Sequence, residues 1–273
     1  MKTDGWIARV RMNLGFVLLF TLQATKTHMA DRGNFWIGFL TLALYQSLGL
    51  AFLAVVFAHV PQLAGWSFAE VLFIFGVFHV VSGLFYMLFA WTLWFSRRYL
   101  IERRLDVILV RPVPPLLQIA AEGIGNSLAE LNGVAVGVGI IAYAAVQLAW
   151  RPSPVDVLLL FVGIVLGVLI LGGIFTALAM ISFWARATSG VSRPLMQIIG
   201  FAQYPITIFP PLLRWVLTFV FPLGLVAYAP SASVLRDTSW EWLVIAPSWG
   251  LGLWGLVGIL WRRGRRRYES AGS

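Results

Sequence analysis

The sequence predicts an all-α polytopic membrane protein, and three observations carry that prediction. Of the 273 residues, 60% are hydrophobic and only 11% charged, against roughly 25% charged residues in soluble domains, and mean hydropathy is +0.85. Five apolar runs reach the roughly 20 residues that a helix needs to cross a hydrocarbon core: Phe35 to His59, Val71 to Phe95, Leu116 to Trp150, Val157 to Trp184 and Trp240 to Trp261. The basic residues behind the net charge of +9 stand at the ends of these runs. That placement points to a membrane surface and away from nucleic acid, which calls for a basic patch on a folded soluble face. Cysteine is absent, which removes disulfides and thiolate metal sites. The whole chain, 1–273, reads as a single transmembrane domain.

Residues 6–30 precede the first run. Lys2, Arg9 and Arg11 followed by "LGFVLLFTL" resemble the charged and apolar parts of a signal peptide. Trp6, Val10, Leu14, Val17 and Thr21 recur at helical spacing with Arg9 and Asn13 on another face, and the preferred reading is an amphipathic helix lying in the membrane interface. A sixth apolar region, Pro194 to Ala229, is broken by Pro205, Pro210, Pro211, Arg214 and Pro222. Each proline removes a backbone donor and clashes with the preceding turn, so one straight helix is not expected.

Orientation follows from the distribution of Lys and Arg. With both termini cytoplasmic and the broken region crossing once, only Arg151, Arg214 and Arg236 of the 20 basic residues lie outside. A second full crossing there would place "RRGRRR" outside. Residues 210–229 therefore read as an outer-face re-entrant hairpin, tolerated where irregular backbone is buried in protein or lines a wet cavity. Counting the crossing within Pro194 to Phe209, the expected architecture has six transmembrane helices.

The third run carries Ala121, Gly125, Ala129, Gly133 and Gly137 at every fourth position. This ridge of small residues permits close helix approach, within one chain or at a seam between two. Glu122, Asn126 and Glu130 share another face. If the run is one long helix, its first turns stand in cytoplasm with Glu122 wet, while Glu130 reaches the inner edge of the hydrocarbon. A carboxylate there must face protein or water. Glu130, with Asn126, then lines a substrate path, relays protons, or pairs with an inner-side arginine. His79 lies toward the other end of its span, too far for direct pairing.

No phosphate loop is present: the only lysines are Lys2 and Lys26, and neither follows a glycine-rich turn. No H-E-x-x-H, G-x-S-x-G or Cys/His cluster appears. The chain is expected to be no enzyme, with no cofactor or metal of its own.

Between the second and third runs lies a charged interruption, residues 97–115. Tyr99, Leu100, Leu105, Ile108 and Leu109 alternate with Arg97, Arg98, Glu102, Arg103, Arg104 and Asp106 in a pattern fit for a short amphipathic helix. Pro112, Pro114 and Pro115 stop it and stiffen the return. The positive-inside rule alone accounts for the arginines; Glu102 and Asp106, four apart, and the rigid exit suit a docking element.

"GWSFAEVLFIFG" at the start of the second span and "ERRLDVILVRPVPPLLQ" after it resemble the permease subunits of type-2 ATP-binding-cassette exporters. The likeness is to the bacterial branch with a Gly-Trp-Ser start and a Leu-Asp-x-x-Leu-x-Arg-Pro loop. It covers nearly the whole chain, although Arg103-Arg104 stand where that branch carries a glycine. The resemblance implies a plasma-membrane permease, paired with a second, identical or homologous permease chain. It also implies that the loop docks on a separate ATPase subunit, which binds ATP and Mg. Leu105, Asp106, Arg111 and Pro112 match the motif, with Glu102 and Arg104 flanking it. The expected function is export of an amphipathic, lipid-like or drug-like substrate. The alternatives are a stand-alone proton-coupled carrier using Glu130, and a membrane scaffold or embedded enzyme.

Overall fold

The computed structural model describes residues 15, 18–19, 21–23, 25–26, 32–185, 189–236 and 241–268. The order along the chain is α1 (Arg32–His59), α2 (Phe68–Phe89), α3 (Trp91–Phe95), a π-helical turn (Ser96–Ile101), α4 (Arg104–Leu109), α5 (Pro115–Asn126) and α6 (Leu131–Gln147). It continues with α7 (Pro154–Ile181), α8 (Ser189–Ile199), α9 (Pro211–Phe219), α10 (Tyr228–Arg236) and α11 (Trp242–Arg267). Among the described residues there is no β-strand, and four helical stretches are long and apolar enough to cross a membrane: Trp36–His59, Phe68–Ile101, Pro154–Ile181 and Trp242–Arg267. The second of these joins α2, α3 and the π turn. The apolar helix α6, at 17 residues, is shorter.

The interface helix expected over 6–30 falls mostly outside the described residues. The described positions from 15 to 26 are helical, and the Thr21 hydroxyl donates to the Ala121 carbonyl of α5 at 3.2 Å.

The bundle has two ends. At one, the turn between α1 and α2 meets the region before α11. Gly65 (φ 81°) and Ala64 (φ 52°) turn the chain, and Ser67 caps α2 in a reciprocal pair with Glu70. Trp66, which is buried, donates from Nε1 to the Thr207 hydroxyl at 2.9 Å and meets Tyr228 edge-on. Arg236 lies over the Trp66 ring at 3.6 Å, donates to Glu70 at 2.7 and 2.8 Å and to the Gly65 carbonyl at 2.7 Å. The Gly-Trp-Ser stretch thus clamps the broken region onto α2.

α2 forms the centre of the bundle, buried along most of its length and packed chiefly against α6 and α7, while α11 lies along α7. Glycines set the α2–α6 distance. A Cβ on Gly137 would fall 2.7 Å from the Gly76 carbonyl oxygen and the Val80 nitrogen, and one on Gly83 would fall 2.9 Å from Val134. A Cβ on Gly133 would meet Gln46 of α1 at 3.3 Å and Gly83 at 3.4 Å. On α7, Gly163 faces Pro230 and Gly167 faces the Val226 carbonyl. Gly133, Gly137, Gly163 and Gly167 therefore serve packing within the chain, and Gly125 is buried.

The expected third helix is divided. α5 stops at Asn126, Ser127 leaves helical geometry (φ −114°, ψ 17°), and a 3-10 turn, Leu128–Glu130, leads into α6. The reason is local: Gly125, Asn126 and Ser127 are weak helix formers. The small-residue ridge consequently does not run down one straight face, and Ala129 sits in the turn. The proline-rich region is broken as expected, into α8, 3-10 turns at Gly200–Gln203 and Ile206–Ile208, α9, and a 3-10 turn at Leu223–Leu225.

Candidate functional site

The opposite end of the bundle holds the 97–115 loop, folded as an elbow. The π turn closes with the Glu102 N–H donating to the Arg97 carbonyl at 2.9 Å. The chain then reverses at Arg103, whose φ of 57° lies in the left-handed region that favours glycine. This reversal falls within the Arg103-Arg104 pair, where the resemblance leads one to expect a glycine. Six residues of α4 follow, then Val113, and Pro115 opens α5 at its first turn, where a missing N–H costs no hydrogen bond.

Two side chains of α5 hold the elbow from beneath. Gln118, 2% exposed, donates from Nε2 to the Ile108 carbonyl at 3.1 Å and to the Val113 carbonyl at 2.7 Å, serving acceptors that a proline-rich exit leaves short of donors. Glu122 forms an ion pair with Arg98, lies 3.7 Å from Arg104 and accepts from the Tyr99 hydroxyl at 3.1 Å. Glu122 is therefore a half-buried anchor and not the wet residue expected of a straight helix, because α5 begins directly under the loop.

The apolar inner face of the elbow shares a small cluster with other helix ends. Leu105 and Ile108 pack with Phe95, Tyr99, Ile119, Met180 and Trp261. Phe183 fills the notch at Gly264 and meets Tyr268 edge-on. The Asp106 carboxylate lies beside the Tyr268 phenol, whose pKa is pushed up to about 12 by burial first and then by that carboxylate.

These placements sort the expected site residues. Leu105, expected as a docking contact, is fully buried and holds α4 down with Ile108. Glu102 is occupied with Arg97 at 3.5 Å and Arg104 at 3.9 Å. Asp106 faces inward to Tyr268, so Glu102 and Asp106 do not act as one acidic face. Arg111 and Pro112 are exposed. The outer face adds residues that sequence reasoning missed: Ile101, Val107 and Val110 are 61%, 57% and 83% exposed, apolar side chains on an otherwise charged loop. Their signal was the apolar remainder after Leu105 and Ile108 had been turned inward.

Asn126 closes α5 and Glu130 sits in the 3-10 turn above it. Glu130 is half-buried, near enough to Tyr86 to interact electrostatically. Among the described residues it forms no ion pair, so a pairing with an inner-side arginine is not seen there. His79 bonds instead to the Phe75 carbonyl at 2.9 Å.

A family model described as ABC-2 family transporter protein matches residues 43–272. No curated protein and no solved structure matches the chain.

Proposed function

The chain belongs to the ABC-2 family of transporter proteins, and from that premise we propose that it is the permease subunit of an exporter driven by a separate ATPase that docks on the elbow. The supporting observation is the form of the elbow: a short helix with exposed Val107 on its outer side and exposed Val110 and Arg111 just past its end, while its inner face is buried and Gln118 and Glu122 anchor the loop. Exposed apolar residues beside a charged rim suit a protein contact. Closure of ATP-loaded subunits then reaches the helices through this contact, and it can bias the permease only by binding one conformation more tightly than the other.

In this reading the elbow is cytoplasmic, as the arginine distribution requires, and the protein sits in the plasma membrane with both termini inside. Two permease chains, identical or homologous, enclose the path for an amphipathic, lipid-like or drug-like cargo. Asn126 and Glu130 border that path, at the joint between α5 and α6. ATP and Mg belong to the partner subunit.

The test is co-purification of the chain with an ATP-hydrolysing subunit from the cells that produce it, followed by cargo-stimulated hydrolysis. Val110→Glu and Arg111→Glu are expected to cut recovery of the ATPase at least tenfold while leaving the chain folded. Undiminished recovery with both changes would remove the docking claim. Uptake driven by a proton gradient in vesicles holding the chain alone, abolished by Glu130→Gln, would establish the carrier alternative instead.

A further inference from the structure

α11 runs without interruption from apolar Trp242 to Arg267, and its last turns carry Arg262, Arg263, Arg265, Arg266 and Arg267, all exposed. Among the described residues, the ion pairs involve other arginines. At 3.6 residues per turn, Arg262, Arg263, Arg266 and Arg267 cover a continuous arc of about 140°. The facing arc, Trp261, Gly264 and Tyr268, is turned into the apolar cluster beneath the elbow. Arg265 stands between the two arcs, its guanidinium 5.4 Å from the Trp261 ring centroid.

This arrangement is more specific than a basic tail. The arginines sit in helical register at the end of a helix long and apolar enough to cross a membrane, the end that a spanning helix brings to the headgroups. Arginine's planar fork suits bidentate contact with phosphate oxygens. The same turns reach the elbow: Trp261 packs in one apolar cluster with Leu105 and Ile108 of α4, and Tyr268 is near enough to Asp106 of α4 to interact with it electrostatically.

We propose that this five-arginine turn is a binding site for anionic phospholipid headgroups, and that its occupation steadies the elbow through Trp261 and Tyr268. The steadying role rests on the reading of the elbow as the ATPase dock; the binding site itself does not. A bilayer rich in anionic lipid would hold the elbow in its docking form, making transport responsive to membrane composition.

The purified full-length chain in neutral detergent is titrated with fluorescent phosphatidylglycerol and, separately, with fluorescent phosphatidylcholine. The expected result is selective binding of phosphatidylglycerol that weakens in high salt. Each arginine near a surface contributes roughly a fivefold factor, so Arg263→Gln, Arg266→Gln and Arg267→Gln together are expected to weaken binding on the order of 100-fold. The corresponding lysine replacements, which keep the charge, should retain most of it. Equal affinity of the native and glutamine-substituted chains would overturn the site, and so would displacement of the lipid by inorganic phosphate, which would mark a site for the free ion. For the link to the elbow, a fluorophore on Ile101→Cys in this cysteine-free chain is expected to change its anisotropy on phosphatidylglycerol binding. Tyr268→Phe should abolish that change while lipid binding persists. An anisotropy unaffected by lipid would overturn the link. None of these readouts involves an ATPase, so failure of the docking reading would show separately, as loss of co-purification.

Discussion

At the scale of single residues, two positions, one in the elbow and one beneath it, carry opposite kinds of energy. Arg103 adopts a left-handed conformation that costs a residue with a Cβ about 1–2 kcal/mol, only partly offset by glycine's greater entropy loss on folding. Arg103→Gly is expected to stabilise the chain by about 1 kcal/mol, a rise of about 2–4 °C in Tm; a fall would mean that the side chain contributes more than the strain removes. Tyr268 acts through its proton. Its phenol stays neutral in the folded chain up to about 12, whereas in the unfolded chain it ionises near 10. Its contribution is therefore complete below pH 10 and is lost as pH rises from 10 towards 12. Tyr268→Phe should flatten that part of the alkaline decline in thermal stability, and an unchanged decline would separate Tyr268 from the stability of the elbow.

At the scale of elements, the α2–α6 contact depends on glycine backbones. A Cβ at Gly137 meets backbone atoms that cannot turn aside, whereas Gly139, two residues on, has open space around its Cβ position. Gly137→Ala should cost about 1–3 kcal/mol through overpacking, while Gly139→Ala should be neutral or stabilising by up to about 1 kcal/mol, both read by thermal denaturation. Similar values for the two would contradict the close approach. The same elements show what a sequence can disclose. α1, α2, α7 and α11 were legible because about 20 consecutive apolar residues admit few other interpretations, and the fracture after Pro194 was legible in its prolines. The division at Ser127 was not, because Gly125 and Ala129 fit a packing ridge as well as they fit a helix end. In the elbow, the inward Leu105 and Ile108 follow from amphipathic spacing. Gln118 left no comparable trace: one polar residue in an apolar stretch has no periodicity, and the carbonyls it serves exist only once the prolines have turned the chain.

At the scale of the whole molecule, the two ends of the bundle are built for different tasks. One is cross-linked by Trp66, Glu70 and Arg236; the other presents the elbow and the arginine turn. The chain has no cysteine, so single cysteines report sidedness directly. Val110→Cys is expected to react with a membrane-impermeant maleimide only from the cytoplasmic face, and Val220→Cys, exposed beyond α9, only from the other. Labelling of both from one face would overturn the orientation.

The break at Ser127 bears on how a load on the elbow would travel. A straight rod passes thrust along its axis; a jointed linkage converts thrust into rotation. With α6 pinned to α2 by Gly76, Gly83 and Gly137, a load reaching α5 through Gln118 and Glu122 is expected to swing it like a crank about Ser127, opening a lateral cleft beside Glu130 and leaving the glycine-locked pair at rest. Paired spin labels on α5 and α6 would register this as a change of angle during turnover, and a pure translation of both helices together would refute it.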